Sequence, residues 1–74
     1  MKEEIEKLKS LFNKTESNEI SFENGIIEYR EILNSLQAKG ITVDNWLNDL
    51  PNLANRTDIK VEIVGVMSYL TRRI

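Results

Sequence analysis

The chain has 74 residues, of which 41% are hydrophobic and 30% are charged, a composition typical of one ordinary globular domain rather than of a disordered segment. It contains no histidine and no cysteine, which removes the commonest general base, the commonest zinc ligand and any disulfide. Its formal net charge of −2 argues against nucleic acid as the main partner. Because a chain this short has no disulfide or cysteine-based metal site to stabilise it, we expect its stability to come from aliphatic packing, helped by self-association.

Charge is distributed unevenly along the chain. Residues 1–50 carry six basic and ten acidic side chains, a net of −4, whereas residues 51–74 carry four basic and two acidic side chains, a net of +2. The first residues, MKEEIEKLK, lack the apolar segment of a secretory signal, and no apolar run approaches the ~18 residues that cross a bilayer. We therefore expect a cytoplasmic protein without membrane contact. The abundance of Asn, Ile, Lys and Glu favours an AT-rich bacterial or phage genome.

The first predicted helix covers residues 2–13, and its apolar side chains share one broad face at helical spacing. These are Ile5, Leu8, Leu11 and Phe12. The segment Lys14–Ile20 is polar and rich in turn-forming side chains, so we predict a loop there.

The longest predicted helix covers residues 22–39, with Ser21 as its N-cap and Gly40 as its stop. Gly25 falls on the buried side of this helix, where it indicates either a close crossing with another helix or a tolerated loss of about 1 kcal/mol in helix propensity. The predicted buried stripe consists of Phe22, Ile26, Tyr29, Ile32, Leu33 and Leu36.

A short third helix is predicted over residues 43–50, with Thr42 as its cap. Trp46 falls on its apolar face, which favours a core position over a ligand platform. Pro51 breaks or kinks the chain, and Asn52–Thr57 forms a connection or a single turn. Within that connection we expect two buried side chains, Leu53 and Ala54.

The last predicted helix covers residues 59–72, with Asp58 as its cap. Residues 59–63 also alternate between apolar and polar, and β-branched side chains fill most positions from 59 to 66, as in a strand. We favour a helix because the helical repeat continues further and no other segment offers a partner strand. A strand here would pair with its copy in a second chain. The helical repeat consists of Ile59, Ile63, Val66, Met67, Leu70 and Ile74.

Three or four helices with short connections predict an all-α bundle that forms a single domain over residues 1–74. The remaining candidate bases are carboxylates and lysines on predicted polar faces, such as Glu28 and Glu31, which are typical of a solvated surface. The three glycines are scattered, so no phosphate-binding loop is present. We expect no catalysis, no cofactor and no metal.

Residues 53–73 resemble a helix-turn-helix, and DNA binding through this segment is the alternative function. Asp58 stands where such a motif usually has glycine at the turn. The positions that would face bases offer few of the donors that read base edges. The apolar positions of the motif fall on Ala54, Ile59, Val64 and Met67, and the base-facing positions on Lys60, Val61, Glu62, Gly65 and Val66.

Binding to another protein is the function that we expect, through a helical surface. Some apolar side chains fall off the buried stripes, and they matter if they gather into one patch, which would form a homodimer interface or a groove for another chain. Aromatic and arginine side chains often anchor interfaces. The candidate partner-binding residues are Val61, Val64, Tyr69, Arg72, Arg73 and Ile27. We expect a small regulator, inhibitor or assembly factor that self-associates as a homodimer.

Overall fold

The computed structural model describes residues 2–73, which fold as a small bundle of α-helices. No strand occurs within this range, so the all-α prediction is confirmed and the strand alternative for residues 59–66 is wrong. Ile74, a member of the predicted apolar repeat, lies outside the described residues. In chain order the elements are α1 (Lys2–Glu16), α2 (Phe22–Ala38), α3 (Asp44–Asp49), a 3₁₀ turn (Leu50–Asn52) and α4 (Arg56–Arg73).

Helix α1 continues to Glu16, past the end predicted at residue 13. Thr15 is buried, and its hydroxyl donates to the carbonyl oxygen of Leu11 at 2.7 Å, so this polar side chain is satisfied within the helix. Two residues beyond the end of the helix, Asn18 has a φ of 62°, a left-handed conformation that asparagine tolerates and that ends a helix. The loop predicted from Lys14 therefore begins too early.

Both predicted ends of α2 are confirmed. The Ser21 hydroxyl accepts a hydrogen bond from the backbone N–H of Asn24 at 3.2 Å, as an N-cap does. At the other end Gly40 has a φ of 85°, and the N–H of Ile41 donates to the carbonyl of Leu36 at 3.1 Å. This is the hydrogen-bond pattern of a glycine-terminated helix, and the side chains of Leu36 and Ile41 on either side of it are both buried.

The predicted cap of the third helix is wrong. The residue before α3 is Val43, and no side chain caps the helix there, so Thr42 does not have that role. The helix ends at Asp49, and the chain continues as the 3₁₀ turn through Pro51, which supplies no N–H and needs none at the start of a helical turn.

The predicted start of the last helix is also wrong, because α4 begins at Arg56 and Asp58 lies inside its first turn. The side chain of Asn55 accepts from the N–H of Asp58 at 3.0 Å, and the Asp58 carboxylate accepts from the N–H of Ala54 at 2.8 Å. Asparagine caps helices as well as aspartate does, so Asn55 starts the helix earlier. Ala54 is exposed, contrary to prediction, whereas Leu53 is half-buried.

One core lies between α1, α2 and α4, which all pack against one another. Helices α2 and α4 approach closely at Gly25, where a Cβ atom would lie 3.0 Å from Cδ1 of Ile59, so the close-crossing interpretation of this glycine is confirmed. Trp46 is partly buried against this core, as predicted. The buried apolar side chains are Leu8, Leu11, Tyr29, Ile32, Leu33, Leu36, Ile41, Val43, Leu50, Ile59, Ile63, Val66 and Leu70.

Candidate interaction surface

Three large apolar side chains are exposed in the described part of the chain: Ile27 by 51%, Val61 by 65% and Val64 by 52%. Val61 and Val64 lie about one turn apart on the outer face of α4, roughly 140–200° around the helix from the buried Ile59. Ile27 lies on the outer face of α2, roughly 160° around from the buried Tyr29. The structure therefore brings the two valines together and leaves Ile27 on a different helix.

Val64 borders two open grooves that join into one surface. One lies between α1 and α4 and is lined by Lys9, Phe12, Asn13, Val64 and Met67. The other continues along α4 and is lined by Val64, Met67, Ser68, Thr71 and Arg72. Because both are lined by Val64 and Met67, we treat them as a single α1/α4 groove, whose apolar floor is formed by Phe12, Val64 and Met67.

The charged side chains around the α1/α4 groove are cationic. Lys9 and Arg72 line it, and no acidic side chain of the described chain does so. Lys60 lies beside it, with its Nζ 5.8 Å from the centre of the Phe12 ring. A chain with a net charge of −2 thus presents an apolar groove with a positive rim.

Two of the predicted anchors lie outside this groove. The Tyr69 ring is 5.1 Å from the ring of Trp46 at a tilt of 48°, a geometry that stabilises aromatic pairs and packs α3 against α4. The Arg73 guanidinium donates to the Tyr69 hydroxyl at 3.2 Å and lies 5.5 Å from its ring centre. Of the predicted aromatic and arginine anchors, Arg72 is the one that lines the groove.

The geometry expected of a helix-turn-helix is not found. Asp58, placed at the turn between two helices, lies within α4, and residues 53–55 before that helix are not helical. Ala54 and Val64, assigned to apolar positions of the motif, are both exposed. The motif positions assigned to Ala54, Asp58 and Val64 therefore do not match the structure, and DNA binding through residues 53–73 stays a prediction.

A buried carboxylate joins α1 to α2. Glu4 is only 2% exposed, and its Oε2 accepts from Nζ of Lys39 at 2.8 Å and from the Ser35 hydroxyl at 2.9 Å. Lys39 is the main reason that the pKa of Glu4 falls to about 2. Burial of Glu4 is not among the sequence predictions, although Glu4 precedes Leu8 by four residues and therefore lies on the same helical stripe.

A second polar contact joins α2 to α4. The fully buried Tyr29 donates to Oε1 of the half-buried Glu62 at 3.2 Å. The sequence resemblance places Glu62 at a base-facing position of a helix-turn-helix. The spacing of Glu62 nevertheless indicates partial burial, because it follows the buried Ile59 by three residues and precedes the buried Val66 by four, which keeps it near the buried side of α4.

Within residues 2–73, no group of three or more acidic, histidine or cysteine side chains is placed to hold a metal ion. No helix in the same range has the length and apolar content needed to span a membrane. Comparison of the chain with protein-family models, with curated proteins and with solved structures finds no match.

Proposed function

We propose that this protein is a small non-catalytic binding module that holds another protein chain in its α1/α4 groove, as a cytoplasmic regulator, inhibitor or assembly factor of a bacterium or phage. The observation that carries the proposal is the apolar floor of Phe12, Val64 and Met67, with Val64 52% exposed, beneath the cationic Lys9 and Arg72.

The apolar floor and the cationic rim of the α1/α4 groove contribute differently to binding. Covering apolar side chains stabilises a complex by about 25 cal/mol for each Å² removed from water, so the floor supplies affinity. Charges at a rim contribute mainly to the rate of encounter and to the choice of partner. An apolar floor with a one-sign rim therefore favours a partner that carries apolar and acidic side chains together.

Site-specific photocrosslinking tests this function. A benzophenone amino acid is placed at Val64, or as a matched control at Asn48, an exposed helical position on α3. Each labelled chain is irradiated in a lysate of the source cells, with an excess of unlabelled competitor. Both competitors carry Ile27→Gln, so that neither can serve as the partner through the exposed apolar residue of α2, and one of them also carries Val64→Asp, which places a charge on the groove floor.

We expect one reproducible protein adduct at Val64 that is absent at Asn48. The competitor with the intact groove should remove it, and the competitor with Val64→Asp should remove it at least tenfold less effectively, about 1.4 kcal/mol in binding. Adducts of equal yield at both positions, or equal competition by both chains, would overturn the proposal.

A further inference from the structure

The outer face of α2 carries a short row of side chains that the proposed function does not use. Glu23, Ile27 and Glu31 follow one another at intervals of four residues, so they lie in line along the helix. All three are exposed, Ile27 by 51%. Arg30 lies beside this row, which therefore presents one apolar side chain between two acids with one cation at its edge.

This row complements the α1/α4 groove in charge and in spacing. On the groove side Lys60 precedes Val64 by four residues, and on the α2 side Glu23 precedes Ile27 by four, so both pairs are about 6 Å apart along their helices. Ile27 matches the apolar floor, and Glu31 matches the cationic rim formed by Lys9 and Arg72.

We infer that the occupant of the α1/α4 groove is the outer face of α2 from a second copy of this chain, a conclusion that rests on the proposed function and specifies its partner. This pairing covers Ile27 and Val64, two of the three large apolar side chains exposed among the described residues, and it sets the acids of α2 against the cations of the groove.

The position of the two surfaces decides the form of the assembly. Helices α1, α2 and α4 pack mutually around one core, so the groove between α1 and α4 lies on the side of the bundle opposite the outer face of α2. The contact is therefore head-to-tail. In a pair of chains, the copy whose groove is filled keeps its α2 face open, and the other copy keeps its groove open. Assembly proceeds as a row or a ring, in contrast to the homodimer expected from the sequence.

Sedimentation velocity over a roughly hundredfold range of protein concentration tests this assembly. Two double variants each break one surface: Ile27→Gln with Glu31→Gln on α2, and Lys9→Glu with Arg72→Glu at the groove. These four side chains are exposed, and circular dichroism verifies that each variant is folded. The variants are measured alone and as an equimolar mixture.

The wild-type chain should grow beyond a dimer as concentration rises, and this growth should weaken with added salt. Each variant alone should remain a monomer. The mixture should form a one-to-one heterodimer and stop there, because the intact groove of one variant binds the intact α2 face of the other.

A wild-type chain that stays monomeric, a dimer that neither variant disrupts, or a mixture that stays monomeric would each overturn the head-to-tail contact. The photocrosslinking result remains a separate test. A competed adduct at Val64 with a different protein, together with a monomeric wild-type chain, would refute the second copy as occupant and leave the proposed function standing.

Discussion

The hydroxyl of Tyr29 donates a hydrogen bond to Oε1 of Glu62 at 3.2 Å, joining α2 to α4 beside the core. Burial and the neighbouring carboxyl of Asp49 together raise the pKa of Glu62 to about 7, although the hydrogen bond from Tyr29 opposes this shift. The negative charge of Asp58 also raises the pKa of Glu62, to a smaller extent. The protonation of this one carboxyl therefore changes near neutral pH, and with it the stability of the α2–α4 contact.

We expect the wild-type chain to lose stability as pH rises through neutrality, and we expect Glu62→Gln to abolish this decline. The folded pKa of about 7 lies above the ordinary value of 4.5, so the folded chain holds the proton more tightly and its free energy of unfolding falls between those two pH values. Because water screens a half-buried carboxyl, we expect a loss on the order of 1 kcal/mol. Urea unfolding followed by circular dichroism at about pH 4.5 and about pH 8 measures it.

Asn34→Gln provides the control, since it exchanges one neutral amide for another at an exposed position of α2 and should leave the wild-type pH dependence unchanged. An undiminished decline in Glu62→Gln would mean that another group binds the proton.

The buried Glu4 gives a pH dependence of opposite sign. Its pKa of about 2 lies below the ordinary value of 4.5, so the stability that it contributes is present above pH 4.5 and is lost as pH falls towards 2. Glu4→Gln should lower the free energy of unfolding at neutral pH by on the order of 1–2 kcal/mol, because the Lys39 side of the ion pair is exposed. The difference from wild type should vanish in urea melts near pH 2, and a difference that persists there would exclude this mechanism.

Leu33 and Val61 separate the roles of core and surface. Leu33 is fully buried, and Leu33→Ala should lower the free energy of unfolding by about 2–5 kcal/mol, a large share of the total for so small a domain. Val61 is 65% exposed, and Val61→Ser should change that free energy by less than about 0.5 kcal/mol. Urea unfolding compares the two, and an unfolded Val61→Ser would place this valine in the core.

Much of the fold was predictable because local chemistry specifies it. Helical spacing identified the buried stripes, and Ser21 and Gly40 mark the ends of α2 by a side-chain acceptor and a left-handed backbone. The errors arose where two residues compete for one role. Asn55 and Asp58 are both good caps, and only the folded chain shows that Asn55 acts first while Asp58 bonds back to the loop.

The candidate surface was predictable only in part. Spacing within one helix showed that Val61, Val64 and Ile27 lie off the buried stripes, and their exposure agrees with this. Spacing carries no information about which helices are neighbours, so the groove formed by Phe12 of α1 with Val64 of α4 was not foreseen. The same limit applies to Tyr69, whose contact with α3 depends on tertiary packing.

The close approach of Gly25 and Ile59 predicts a coupled pair of mutations. Alanine at position 25 gains about 1 kcal/mol of helix propensity, but its Cβ would lie 3.0 Å from Cδ1 of Ile59, which is fully buried and has little room to move. We expect Gly25→Ala to lower the free energy of unfolding by about 1 kcal/mol in the wild-type chain. Ile59→Val removes Cδ1, and in that background the same alanine should stabilise by about 0.5–1 kcal/mol. A double-mutant cycle from urea unfolding should therefore give a coupling of about 1–2 kcal/mol, whereas additive effects would show that the two helices do not meet at this glycine.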